Sequence, residues 1–250
     1  MANWQDPQTT GVSAATVGVP RAARDVGLRS YMLTVYNYMA SGVLLTGIVA
    51  LLFANSSLIN LMATVNASGQ VQATPLGLIA MFAPLALVFI LGFGINRISA
   101  GTAQALYWVY AGLIGVQFST LFLVYTGASI AQTFFATAAA FLGLSLWGYT
   151  TKRDLSGFGT FLIMGVVGIF VALLINMVLR SPAFDLAISA IGVLLFAGLT
   201  AYDTQRIKSM YFQVAGSDMM GKVVIMGALS LYLDFINMFQ FLLSFMGNRR

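Results

Sequence analysis

The 250-residue chain contains no cysteine, no histidine and no glutamate, and only 8% of its residues are charged. Each absence closes a class of chemistry. Without cysteine or histidine there is no disulfide framework, no thiolate or imidazole metal site, and no Ser–His or Cys–His nucleophile. Without histidine, the usual switch near neutral pH, any response to pH has to come from aspartate, the only acid among the seven present. Soluble domains are about 25% charged, whereas this chain is 59% hydrophobic with a mean hydropathy of +0.89. The composition predicts an all-α, polytopic membrane protein whose surroundings are the lipid bilayer. The net charge of +5 does not point to nucleic acid, because the basic residues sit one to three at a time between apolar runs, as topology signals do.

Residues 1–30 are polar and rich in small residues and end in Arg21, Arg24 and Arg29, so they are expected to form a disordered cytoplasmic tail. No apolar core follows a charged start within them, which excludes a signal peptide. The remainder, 31–250, is expected to be one transmembrane domain. Seven segments approach the roughly 20 apolar residues that a spanning helix needs, at about 31–54, 76–96, 103–125, 129–149, 159–179, 184–207 and 223–246. Assigned to alternate sides, nine of the basic residues fall with the amino terminus, and three, Arg180, Arg249 and Arg250, fall opposite. The first side is therefore expected to be cytoplasmic. Seven spans put Asn248 to Arg250 outside. A re-entrant last segment would return them to the cytoplasm, but 24 residues with a single charge are long enough to cross. Glycines inside the spans suit close helix packing in lipid, and Pro84 should free a backbone carbonyl in the second span and kink it.

The chemistry is concentrated in the last span, Val223 to Met246. Its polar and small residues Gly227, Ser230, Asp234, Asn237, Gln240 and Ser244 recur in steps of three or four, a single helical stripe expected to face protein. A carboxylate at mid-bilayer costs roughly 2.5–3.5 kcal/mol on insertion scales, so Asp234 needs a partner or a proton. Asp203, in Ala201-Tyr202-Asp203-Thr204-Gln205, is the candidate partner. Asp234 lies about 18 Å along its helix from Lys222 at 1.5 Å per residue, and Asp203 matches that depth only if the sixth helix runs on to about Tyr211. Two carboxylates in contact cannot both ionise cheaply, so the pair would hold one proton over a range of pH. The competing reading is a pair of separate aspartates, each hydrogen-bonded to its own neighbours. An intramembrane aspartyl protease fits Tyr202-Asp203 but lacks the Gly-x-Gly before Asp234, and a retinal protein would want a lysine deeper than Lys222. No enzyme is expected. Arg97 and Lys152-Arg153-Asp154 read as loop anchors, Arg180 and Asp185 as a pair or cap across one turn, and Gln104, Gln117 and Asn176 as path-lining or interhelical groups.

At these residues the chain resembles the Bax-inhibitor family, also called the transmembrane Bax inhibitor motif family, in its bacterial branch. The resemblance rests on Gly198-Leu199-Thr200-Ala201-Tyr202-Asp203-Thr204-Gln205 and on Gly227-Ala228-Leu229-Ser230-Leu231-Tyr232-Leu233-Asp234-Phe235-Ile236-Asn237. Gly148 to Gly157 and the closing Gly247-Asn248-Arg249-Arg250 add to it, and it covers about 25–250. It implies six helices around a central C-terminal one, and a pH-sensitive calcium leak gated by Asp203 and Asp234, with Ca2+ as the transported ion and no cofactor. Some members are described with an arginine of the second helix at the pair, for which Arg97 is the nearest match, while Tyr202, Thr204 and Asn237 are candidates to support the pair or the path. The setting it implies is a bacterial cytoplasmic (inner) membrane. The family's other theme is regulation through other membrane proteins, including a membrane protease, and this supplies the alternative function.

Overall fold

Apolar runs of this length must satisfy their own backbone polar groups once out of water, and helices do so. A computed structural model describes residues 21–66 and 71–249, with the side chains of 21–25 and 65 excepted. The elements are α1 (Arg21–Ala54), α2 (Ile59–Met62), β1 (Ala63–Val65), β2 (Val71–Ala73), α3 (Pro75–Gly94), α4 (Ala100–Ser119), α5 (Leu121–Val124), α6 (Gly127–Thr150), α7 (Ser156–Leu179), α8 (Pro182–Val214) and α9 (Met220–Met246). Among the described residues seven helical stretches are long and apolar enough to span, with α4 and α5 together forming the third. Hydroxyls set several of their starts: Thr74, Ser99, Thr126 and Ser181 each accept a backbone N–H three residues on, and Pro75 and Pro182 occupy first-turn positions where no donor is needed.

Two boundaries differ from expectation. Residues 21–30 are helical, because Leu28, Tyr31 and Met32 bury against the bundle and carry α1 beyond the apolar run. Residues 1–20 of the expected tail lie outside the described residues. At the other end of the chain, α8 continues to Val214, past the Tyr211 that matching depths demand. Buried Ile207 and Tyr211 hold the extension, with the Tyr211 ring 5.4 Å from that of Tyr31. The loop after α1 carries a small antiparallel hairpin that pairs Ala63 with Ala73.

α9 is the axis of the bundle. Its apolar window is 72% buried, against 39% or less in every other span. α8, α1, α6 and α4 pack on it, whereas α3 leans on α4 and α7 on α8 as an outer layer. The polar stripe of α9 is not uniformly interior: Gly227 and Asp234 are buried, Ser230, Asn237 and Ser244 are half-buried, and Gln240 is exposed. The tightest packing goes instead to Leu231, Tyr232, Met238 and Leu243. Tyr232 donates or accepts a 2.6 Å hydrogen bond with Thr46 of α1, whose hydroxyl also lies 2.9 Å from the Ala111 carbonyl of α4. Gly148 brings α6 onto α8 so closely that a Cβ there would clash with the backbone of Ala201, its carbonyl oxygen first.

α3 remains helical through Pro84. The proline has no N–H for the carbonyl of Ala80, four residues earlier. Gln117 of α4 supplies the donor: its Nε2 lies 3.0 Å from Ala80 O and 2.6 Å from Met81 O.

Candidate functional site

Asp234 sits midway along α9 and is 4% exposed. One of its oxygens, Oδ2, has no hydrogen-bond partner among the described residues. The carboxyl of Asp203 on α8 is near enough for the two charges to interact. Asp203 keeps 13% exposure and lies 3.9 Å from Arg206, three residues on along the same helix. From the neighbouring helices α4 and α6 no charged side chain faces the pair, because neither carries one, and α1 carries none past Arg29. On the α4 side of α9 the ring of Tyr232 meets those of Tyr107 and Tyr110 edge to face.

A cavity of about 270 Å³ reaches Asp203 from the end of the bundle where α1 begins. Its lining includes Asn96, Asp203, Arg206, Lys222 and Ser230, the last one turn before Asp234. Past Asp234, on the faces away from its polar stripe, α9 carries Phe235, Met238, Phe239 and Leu243, all buried. Phe235 is edge-on to Phe134 and Phe141 of α6. A carboxylate pair with one member, Asp203, on the wall of a cavity can take up or release a proton without unfolding the bundle, and two charges there would repel.

The other candidates are placed as follows. Arg97 is exposed in the turn between α3 and α4 and does not line the cavity. The cation at the pair is Arg206, whose spacing of three from Asp203 is the signal that was available in the sequence. Tyr202 points to the α6–α7 loop and crowds Gly159, where a Cβ would clash with its ring. Thr204 is fully buried against α6, 2.9 Å from Ser145 Oγ. Asn237 donates to the carbonyl of Leu233 on its own helix at 2.8 Å.

The loop after α6 is held by Gln205, which accepts from Leu155 N and donates to Arg153 O, both at 2.8 Å. Within it, hydrogen bonds from Ser156 hold the carboxyl of Asp154 below the usual carboxylate range. At the opposite end of the bundle Asp185 does not pair with Arg180, which caps α7 with a left-handed φ of 52°. It is instead 3.5 Å from Arg249 and accepts from Ser244 at 3.3 Å. Asn248 is fastened there too, its carbonyl accepting from Thr126 N and its N–H donating to Ser129 Oγ at 2.9 Å. α9 therefore crosses the bundle from end to end, unlike a re-entrant segment. Arg250 lies outside the described residues.

A sequence model described as "Inhibitor of apoptosis-promoting Bax1" matches residues 28–250. The chain belongs to the Bax inhibitor family. Its relatives in the family include an uncharacterized protein of Caulobacter vibrioides, 50% identical over 90% of this chain and 91% of the relative. The inner membrane protein YbhL of Escherichia coli is 48% identical over 92% of this chain and 95% of the relative. The uncharacterized protein YrjE of Lactococcus lactis is 36% identical over 90% and 93%. As a Bax inhibitor family member the chain is an integral membrane protein, and the Asp203 and Asp234 segments fall well within the matched region.

Proposed function

We propose that this chain is a pH-sensitive cation leak, with calcium as the transported ion, gated by Asp203 and Asp234. The observation that carries the reading is the fully enclosed carboxylate of Asp234, with one oxygen left without a partner, next to a second carboxylate that a cavity reaches from one side. In this arrangement the pair shares a proton when the path is closed. Loss of that proton makes the carboxylates repel and parts α8 from α9, which opens the apolar plug of Phe235, Met238 and Phe239. Calcium prefers six to eight oxygens. Among the described residues no group of three acidic or other metal-ligating side chains is assembled, so the two carboxylates would serve only as a loose station, which suits passage rather than storage.

By analogy with the Escherichia coli relative, the membrane would be a bacterial inner membrane, and the distribution of lysine and arginine supports an amino terminus in the cytoplasm. A second reading is a non-conducting protein that acts by binding other membrane proteins, such as a membrane protease. It is favoured by the cations Arg206 and Lys222 in the cavity lining, where a cation path would be better served by acids. Calcium flux into liposomes containing only this protein separates the two. Flux that rises with pH supports the leak, and impermeable vesicles containing folded protein support the binding protein.

A further inference from the structure

A second polar and apolar combination lies away from the aspartates, on the lipid-facing side of the bundle. Between α1 and α6, in the half of the bundle nearest the start of α1, is a cleft of about 430 Å³. Its walls are Met32 and Leu33 on α1 and Leu142 and Leu146 on α6. Leu33, Leu142 and Leu146 are 52%, 66% and 64% exposed. Side chains exposed on membrane spans at this level face acyl chains, so the cleft is a recess in the surface that touches lipid.

The two ends of the recess differ. At its inner end Tyr36 OH and Ser145 Oγ hydrogen-bond across it, and Ser145 continues at 2.9 Å to Thr204 of α8, so that end has no polar group left open. At its outer end stand Arg29 and Tyr149. Lys208 of α8 lies over the Tyr149 ring, 4.8 Å from its centre, and donates to the Tyr149 carbonyl at 2.8 Å. An ammonium has three N–H donors, so this bond leaves two for a ligand. Arg29 is seven residues from Tyr36, about 10 Å along the helix at 1.5 Å per residue. That separation puts the cations at headgroup level when the hydroxyl bridge lies among the acyl chains.

We propose that this cleft is a binding site for a phospholipid with an anionic headgroup. One acyl chain lies between Leu33 and the pair Leu142 and Leu146, and the phosphate lies between Arg29 and Lys208. The apolar walls select a chain from the bilayer, and the cations select the headgroup. A zwitterionic lipid offers the same phosphate but brings a positive charge towards Arg29 and Lys208, whereas a headgroup with net negative charge does not. Basic recesses between spans are a known setting for such headgroups. The occupant would tie α1 to α6 where, among the described residues, the Tyr36 to Ser145 bond is the polar link between them.

The test uses the full chain purified in a nonionic detergent, its thermal midpoint read with added phosphatidylglycerol or with phosphatidylcholine of the same chains. At a hundredfold excess over Kd the anionic lipid should raise the midpoint by roughly 5–10 °C, and the zwitterionic lipid by clearly less. Arg29→Gln with Lys208→Gln should reduce the phosphatidylglycerol response to the phosphatidylcholine level, since glutamine can still donate to Tyr149 O. Leu142→Trp, at an exposed position that folding tolerates, should reduce both responses by filling the cleft. Inorganic phosphate alone should shift nothing. Equal responses to the two lipids in the unmodified protein, a full shift with phosphate alone, or an anionic preference that survives both variants would each overturn the proposal. If the double variant does not fold, spin-labelled phosphatidylglycerol decides: an immobilised fraction on the unmodified protein that Leu142→Trp abolishes supports the site, and one that it leaves unchanged refutes it.

Discussion

Replacing Gln117 by leucine is expected to destabilise the bundle, and by an amount that depends on Pro84. Leucine keeps the size of the side chain and is at home among helices in lipid, so the change removes two hydrogen bonds, at 3.0 Å to Ala80 O and 2.6 Å to Met81 O. Met81 O still has the N–H of Leu85 within α3. Ala80 O has nothing else, because residue 84 is proline. Polar contacts between spans contribute about 0.6 kcal/mol on average and up to about 1.7. An unserved carbonyl in hydrocarbon belongs at the upper end of that range, so Gln117→Leu should cost about 1.5 kcal/mol. In a Pro84→Ala background the restored N–H serves Ala80 O, and the same substitution should cost only about 0.5 kcal/mol, since one redundant bond is lost. The assay is a double-mutant cycle on reversible unfolding in mixed micelles. Equal costs of Gln117→Leu in the two backgrounds would refute the account of how α3 tolerates its proline.

Four further outcomes are expected. Calcium flux in proteoliposomes should rise with pH as the aspartate pair loses its shared proton, and Asp234→Asn should flatten that dependence; a profile unchanged in both Asp234→Asn and Asp203→Asn would remove the pair from gating. In a cycle on flux and on thermal stability, Asp203→Asn and Asp234→Asn together should differ little from either alone, because an amide can still bond the remaining carboxyl; strict additivity would point to two independent aspartates. Gly148→Ala should cost on the order of 1–3 kcal/mol by forcing α6 off the backbone of Ala201, measured as lost unfolding free energy, and a neutral effect would mean that the two helices separate freely. Reporter fusions at residue 1 and after Asn248 should appear on opposite sides of the membrane; the same side for both would contradict a spanning α9.

The seven spans were legible because each is an apolar run long enough to cross, a property local to the sequence. The reach of α8 was legible only as a requirement: Arg206 and Lys208 interrupt the apolar run, and the helix continues because Ile207 and Tyr211 find α1 and α9, which no local window shows. Asp203 and Asp234 could be proposed as neighbours because charge in lipid demands company. The cation that joins them was marked only by the three-residue spacing of Arg206 from Asp203, with Arg97 at another span end on the same side of the membrane as the competing candidate. Arg180 and Asp185 are expected from sequence to pair or cap across one turn: Arg180 does cap α7, but Asp185 meets Arg249, which arrives from the end of α9 and is remote in sequence. The Gln117 bonds joined two expectations, a freed carbonyl and an interhelical glutamine, whose meeting depends on how α3 leans on α4.

The central position of α9 has a consequence for how the protein is made. The axis of the bundle is translated after all six of the spans around or beside it. Thr46 precedes its partner Tyr232 by 186 residues, which at 5–20 residues per second is a delay of roughly 10–40 s. Through that interval its hydroxyl has the Gly42 carbonyl of its own helix, 3.0 Å away, as a resident partner. The early helices are therefore laid into the membrane as a shell around an absent core, with lipid or neighbouring helices in its place. The segment that must displace them is a span with an aspartate at its middle, which enters the bilayer more easily beside α8 and Asp203 than alone. Insertion of the last helix and assembly of the bundle become a single event, and defects on the α8 face of α9 should be detected by cellular quality control as failures of membrane integration.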